Sequence, residues 1–477
     1  MAPSALIDDE SNSVEVIFET HPFGSALLHR NVNEQPPLAL SATGNVIHLD
    51  NGFNMLDGSC GAAVSCLGHG HLPRLGEAVQ GAFKMFYAPS LDYSTWPPEK
   101  CAEVLVHTTI GAMSKVIFYS GGSEAVEAGV KLAKQYHCEL GDWGRTRIIA
   151  RQQSYHGATL GCLALSGHEG RKRIFKCLLP DVVSHIPACN PYYDRYSEET
   201  DEQYVKRKAQ ELEDEFQRLG PKSVIAFVME PVVGAALGCV PAAPGYLGAM
   251  RDVCDRHGAL LIFDEVMCGI GRTGKMHAWQ HEGVAPDIQI VGKGLGAGIQ
   301  ALSATLFNHR VAKVLRGGSG TFQHGHTYQN HPIACAVGLE VLNIIRDDRL
   351  LENVECLGHL LEDLLHEKLD SHPNVGNIRG LGFFQGIAFV VDKATKQPFD
   401  VDLHVYQRFH EIAKQKCQLY TYPGNGTYDG LSGDHAIIAP PYNATEDDIR
   451  EIVDRFAKAV TACFDELAAE GAVTTTP

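Results

Sequence analysis

The 477-residue chain has no C-x-x-C pair among its fourteen cysteines and no closely spaced cysteine set suited to zinc. In a chain of this length, scattered cysteines read as reduced, buried small hydrophobes of a cytosolic protein. Nothing nearby marks any one of them as a catalytic thiol. No apolar run approaches the ~20 residues that span a bilayer. The opening stretch "MAPSALIDDESNSVEV" is acidic and lacks the basic start and apolar core of a secretory signal, so the expected location is cytoplasmic. Basic side chains are in deficit, 40 against 57 acidic ones, for a formal charge of −17. That balance excludes nucleic acid or an anionic membrane as the main partner. There is no G-x-x-x-x-G-K-[ST] loop and no dinucleotide fingerprint, which removes the common nucleotide-binding classes. His69, His71, His324 and His326 cluster in the sequence. They lack the i, i+4 spacing and the acidic companion of a helical metal site, so no metal is expected.

What is present is an alternation. "KVIFYS" (115–120), "RIIAR" (147–151), "SVIAFVME" (223–230), "ALLIFDE" (259–265) and "DIQIVG" (287–292) are short continuous apolar runs. Such runs suit strands covered on both faces. Helical patterns lie between them, including "SEAVEAGVKLAKQY" (123–136) and "EQYVKRKAQELEDEFQRLG" (202–220). This order predicts an α/β fold around a mostly parallel sheet sandwiched by helices. Toward the C-terminus, "TEDDIREIVDRFAKAVTACFDEL" opens on a Thr445-x-x-Asp448 capping box. It sets Ile449, Ile452, Val453, Phe456, Val460, Phe464 and Leu467 on one helical face. With "GFFQGIAFVVD" (382–392) as a strand, this predicts a smaller α+β domain built from both chain ends. The expected division is an N-terminal arm and part of the small domain over 1–85, a large domain over 86–340, and the rest of the small domain over 341–477. The first ~20 residues read as an arm or a disordered segment.

The predicted strands end in residues that carry chemistry. Asp264 and Glu265 close one, Glu230 and Pro231 another, and "SGGS" (120–123) leads a third into a helix. "QQSYHGA" brings Tyr155 and His156 after a fourth, and "VGKGLGAG" (291–298) places Lys293 among four glycines. Ligands of open α/β sheets bind beyond the carboxyl ends of the strands, so these groups can converge on one crevice. Singly, each is more often structural. Together they fit one ligand. The Ser-Gly-Gly-Ser turn offers free amides to a phosphate, and Asp264 can keep a heteroaromatic nitrogen protonated. Tyr155 can stack on a flat ring, and a desolvated lysine can form a Schiff base with an aldehyde. These requirements describe pyridoxal 5′-phosphate (PLP).

The motifs "SGGSEAVEAGVKLAK", "SYHGATLG", "VMEPVVGAALG", "DEVMCGIGRTG", "PDIQIVGKGLGAG" and "HGHTYQNHP", in this order, resemble those of the class III PLP-dependent aminotransferases. This is the ω-aminotransferase group with the fold type I architecture. The likeness runs from about residue 56 to residue 449 and includes the 29-residue step from Asp264 to Lys293. It implies Lys293 as the Schiff-base lysine and proton shuttle and Asp264 as the partner of the pyridine nitrogen, with Val266 packed behind the ring. It further implies Gly122 and Ser123 at the phosphate, Tyr155 on the ring face beside His156, and Glu230 in the polar network near the ring hydroxyl. Thr327 would reach the phosphate of a neighbouring subunit, making the active unit a homodimer. Arg272 of "GRTG" reads as structural. Cys60, Phe86 and Tyr87 lie where the family lines its substrate pocket. The glycines around Lys293 are expected to let cofactor and substrate approach closely.

Two departures bear on the substrate. Glutamate-using members carry E-P-x-Q-G-E, whereas this chain has "EPVVGAA", with Val233 and Ala235 at the Gln and Glu positions. That acid pairs with a mobile arginine in the C-terminal part, yet no arginine lies between Cys417 and Tyr442. Met267 also stands where many members have Gln. The resemblance therefore implies transfer of an amino group from a primary amine or ω-amino acid to an α-keto acid, with pyruvate favoured over 2-oxoglutarate. Class III decarboxylases, racemases and aminomutases share the same core residues and are separated by keto-acid dependence. A non-catalytic protein retaining the fold is the reading from a different class, and the intact Lys293, Asp264 and phosphate turn speak against it.

Overall fold

The computed structural model describes residues 25–472 apart from 71, 86 and 91. The predicted arm over the first ~20 residues, and with it His71 and Phe86, lies outside the described residues. The centre is a seven-stranded sheet in the order Lys115–Tyr119, Ser303–Phe307, Ile288–Val291, Leu260–Glu265, Val224–Met229, Arg147–Arg151 and Val183–Ile186. Its pairs are parallel except at Ser303–Phe307, which runs antiparallel to both neighbours. All five predicted strands are in it. The Ser303–Phe307 and Val183–Ile186 strands carry no comparable apolar run and were not predicted from sequence.

Every residue of Val224–Met229 and Leu260–Glu265 is buried, which is why those segments read as continuous rather than alternating apolar runs. One cover includes the helix Gly122–Glu139, through Ala125, Val126, Ala128 and Leu132. The other includes the helices Asp201–Leu219 and Tyr246–His257, through Tyr204, Leu212, Phe216 and Met250. Each fully buried Val, Leu, Ile or Phe contributes about 1.5–3 kcal/mol, so the sheet is a rigid base for groups at its edge.

Residues from both chain ends meet in the remaining sheets. Leu419–Tyr420 adds in parallel to the Asn54–Asp57 strand of an N-terminal three-stranded unit. A second four-stranded sheet has the order Val375–Leu381, Phe384–Phe389, Asp434–Ile438, Tyr422–Asn425. The helix Glu446–Ala469 buries all seven predicted apolar positions. Its Thr445–Asp448 capping box forms, with bonds of 3.2 and 2.8 Å. The expected boundary at residue 340 lies within the continuous helix Pro332–Asp347.

Candidate active site

A cavity of about 430 Å³ opens at the carboxyl ends of the parallel strands. Ser120, Gly122, Ser123, Tyr155, His156, Glu230, Asp264, Val266 and Lys293 line it together. These groups are spread over 174 positions of sequence, from 120 to 293. The sheet collects them because they lie at or just beyond the ends of five of its strands.

Lys293 begins a short turn, Lys293–Gly296, immediately after the Ile288–Val291 strand. Its backbone is left-handed (φ +45°), a conformation that costs a non-glycine residue about 1–2 kcal/mol and that the surrounding packing enforces. Burial pulls its amine down from 10.5 to about 8, against the opposing attraction of Asp264 and Glu230.

Asp264 is buried and held from two sides. Its Oδ1 accepts the Val266 N–H at 3.0 Å, and its Oδ2 lies 2.9 Å from Nδ1 of His156. An ionised carboxylate only accepts, so with Asp264 in that form Nδ1 of His156 is the donor of this pair. His156 is in turn fixed by its own amide, which donates to Ser166 Oγ at 2.8 Å. Glu230 accepts the amides of Tyr155 at 3.0 Å and Gly234 at 3.1 Å, so it clamps the two loops that frame the cavity. Burial pushes its carboxyl upward, and the nearby Asp264 acts in the same direction. Glu265, adjacent to Asp264, points away from the cavity, as strand alternation requires. It accepts the amides of Ala278 and Trp279 at 2.7 and 3.0 Å, and burial pushes its carboxyl up to about 7.

At the phosphate turn, Glu124 accepts the N–H groups of Ser120 and Gly121 at 3.1 and 2.9 Å. Among the described residues, no acceptor takes the amides of Gly122 or Ser123, the first two of an 18-residue helix. They remain free for an anion at the positive end of the helix dipole. A Cβ on Gly122 would meet Val266 Cγ1 at 2.9 Å, so that position admits only glycine without a shift.

Other expectations are revised. The glycines after Lys293 mostly make room for protein, not ligand. A Cβ on Gly294 would meet the Tyr442 hydroxyl at 3.3 Å, and one on Gly296 would meet Leu302 at 3.4 Å. Gly298 does line the cavity. Cys60 does not line it. It is buried beside Arg272, and the nearby wall residue is Val64. Tyr87 is exposed, its ring edge-on to Tyr328 at 6.3 Å, and the neighbouring Thr327 is exposed too. Neither contributes to the cavity within this chain. Arg272 is buried over the Tyr442 ring at 4.6 Å, and its Nη1 donates to the carbonyls of Phe383 and Pro440, a tie between loops. Sequence reasoning missed Gln300, Ala301 and Leu302 on the cavity wall, and also Arg171, whose guanidinium lies 4.5 Å from the Tyr155 ring centroid. "GHEGRKRIF" is too rich in basic residues for one arginine to stand out. Among the described residues there is no group of three or more His, Cys, Asp or Glu arranged to hold a metal, and no helix is long and apolar enough to cross a membrane.

The Aminotransferase class-III family model matches residues 29–460. The chain belongs to the class III aminotransferases. An aminotransferase of Gibberella zeae is 46% identical over 91% of this chain and 85% of its own length. An uncharacterized aminotransferase of Schizosaccharomyces pombe is 42% identical over 95% of this chain and 96% of its own. The PLP-bound crystal structure of an amine transaminase from an uncultivated Pseudomonas species superposes with a TM-score of 0.84 at 31% identity, covering 93% of this chain and 98% of that one. The protein is thus a fold type I, PLP-dependent aminotransferase acting on small molecules.

The cavity residues of this aminotransferase fit that cofactor on their own geometry. Two unbonded helix-start amides suit a phosphate, an anchored carboxylate suits a ring nitrogen, and a buried amine of lowered basicity lines the same cavity. The His156 contact gives a direct check. Changing His156 to Phe removes a hydrogen bond to a charged group, worth about 1.5–3 kcal/mol. We expect the reaction of the holoenzyme with excess primary amine, followed by its visible absorption, to slow about 10- to 100-fold. An unchanged rate would show that Asp264 does not depend on His156.

Proposed function

We propose that this aminotransferase moves an amino group from a primary amine or ω-amino acid to an α-keto acid, with pyruvate favoured over 2-oxoglutarate. Lys293 is the residue that binds the cofactor aldehyde and moves the proton. The observation that carries this reading is the pairing of a buried, weakly basic Lys293 with a twice-anchored Asp264 in one cavity.

PLP, when bound, supplies an aldehyde and an electron-withdrawing ring. The protein does the rest. The Gly122 and Ser123 amides bind the phosphate, and Tyr155 orients the ring from its face. Asp264, oriented by the His156 ring and the Val266 amide, would pair with the pyridine nitrogen and hold it protonated. Lys293 Nζ, its basicity lowered by burial, would take the proton from the donor carbon in its neutral form and carry it through the 1,3-shift. The buried walls, including Ala235, Met267 and Leu302, limit water and suit an apolar donor. Ala235 supports the acceptor assignment, because the acid that would pair with a switching arginine is missing from the wall. The exposed Thr327 and the Tyr87–Tyr328 contact form one surface, which supports an active unit of two chains, with Thr327 completing the partner's phosphate site. A cytoplasmic setting fits the scattered free cysteines.

The test is an amine panel without keto acid, followed by keto acids, monitored by cofactor absorption. A band lost with amines and restored fastest by pyruvate supports the reading. A band that amines leave unmoved overturns it and returns the decarboxylase, racemase and aminomutase reactions. The lowered basicity of Lys293 has its own signature. The neutral amine is the nucleophile, so protonation below about pH 8 slows capture of added PLP by cofactor-free enzyme. The rate should rise about tenfold per pH unit up to about 8 and then level off. An ordinary lysine would continue to gain rate to about pH 10.4.

A further inference from the structure

A chain without the mobile arginine still needs a cation for the carboxylate of its keto acid, and the structure places one against Tyr155, a wall residue of the cavity. Arg171 sits on the short helix Glu169–Lys172. Its guanidinium stacks on Tyr155, a cavity-wall residue, at 4.5 Å from the ring centroid. Its Nη2 donates to the Tyr422 hydroxyl at 3.3 Å. The adjacent acid, Glu169, pairs with Lys172 instead, at 3.2 Å. Among the described residues Arg171 has no carboxylate partner, although a guanidinium carries five N–H donors. It is half-buried, and its charge is felt at Lys293.

The surroundings are short of negative charge. Arg379, buried nearby, is satisfied by the carbonyls of Leu237 and Gly238 at 2.6 and 2.8 Å. His435 is fully buried with both ring nitrogens unpartnered, and burial and the neighbouring arginines keep it neutral. A half-buried guanidinium whose polar contact is a phenol and not a carboxylate still has N–H donors to offer an anionic ligand. Aromatic stacking fixes the plane of an arginine while leaving its edge free, the arrangement that grips a carboxylate with two parallel bonds.

We propose that Arg171, oriented by Tyr155 and Tyr422, is the fixed receptor for the carboxylate of the keto acid and of the amino acid formed from it. It serves in place of the mobile arginine that this chain lacks. The proposal rests on the transamination reading and names the acceptor class for the same site: small carboxylates, excluded when uncharged.

The experiment uses holoenzyme in two measurements. Calorimetry compares binding of propionate with that of neutral propionamide in wild type, Arg171→Gln and Arg171→Lys. Single-turnover absorption then compares pyruvate with butylamine, which has no carboxylate. Loss of a charge-assisted pair should raise the propionate Kd about 10- to 100-fold in Arg171→Gln and less in Arg171→Lys, with little effect on propionamide. The pyruvate-to-butylamine rate ratio should fall by at least about tenfold in Arg171→Gln. Propionate affinity that is unchanged in both variants overturns the proposal, as does an equal loss with pyruvate and butylamine, which would make Arg171 structural. If Arg171→Gln does not load cofactor, Arg171→Lys decides by the same ratio. Arg171-dependent propionate binding in an enzyme that butylamine never converts would uphold the carboxylate receptor and remove the transamination reading.

Discussion

Replacing Lys293 by alanine should lower kcat by about 10⁴-fold or more, because under the proposed function it removes both the covalent anchor and the base. The argument is positional. Lys293 is the lysine on the cavity wall, held by a left-handed backbone at the end of a buried strand, and burial lowers the basicity of its amine to about 8. Added lysine in solution cannot match a base fixed within reach of the reacting carbon. The phosphate amides and Asp264 are untouched, so Lys293→Ala should still retain PLP non-covalently. Dialysis followed by absorption would show the cofactor bound, with the spectrum of the free aldehyde. Wild-type turnover in this variant would remove the central assignment. A variant that loses both activity and cofactor would show that Lys293 is the main anchor and that the phosphate turn contributes little.

The second large effect is expected at Asp264. Asparagine preserves the shape and can keep its contact to the Val266 amide, but it carries no charge to hold the pyridine nitrogen protonated. Loss of one pre-organised charge in a water-poor site costs about 10²–10³-fold in rate. Asp264→Asn should therefore lower the amine half-reaction by about that factor, with the fold unchanged by circular dichroism. The change also leaves the His156 Nδ1–H facing a neutral amide in place of a carboxylate. The double variant with His156→Phe should be less impaired than the product of the two single losses, since both act through one bond. Full multiplicativity would separate the two residues.

Much of this site is legible in the sequence because its chemistry is tied to strand ends. A buried strand shows as an apolar run, and the residue that follows it is delivered to the edge of the sheet. Asp264, Glu230, Tyr155, His156 and Lys293 group together on that rule alone. The antiparallel Ser303–Phe307 strand is hidden because its five residues, "SATLF", show neither an apolar run nor a clear alternation. Asp264 and Glu265 are equivalent in the sequence pattern, and only the pleat sends one to the cavity and the other to the Ala278 and Trp279 amides. Cys60 is misplaced by sequence reasoning because a small apolar residue near a pocket motif can face either the cavity or the buried Arg272.

The sequence by itself determined the family, the cofactor and the α/β plan, since these rest on local order: which residue follows which strand, and which turn opens a helix. It also determined what is missing, from the acid after the Glu-Pro to the arginine before Tyr442. Tertiary structure alone decided what the cavity wall is made of and which charges are left uncompensated. Arg171 and Tyr155 are 16 residues apart with a helix between them, and Tyr422 comes from the other end of the chain. Their meeting depends on where the fold sets the Tyr422–Asn425 strand, whose Tyr422 hydroxyl accepts from Arg171. Long-range packing of this kind leaves no periodicity in the sequence, because the contact is made by the fold and not by neighbouring residues.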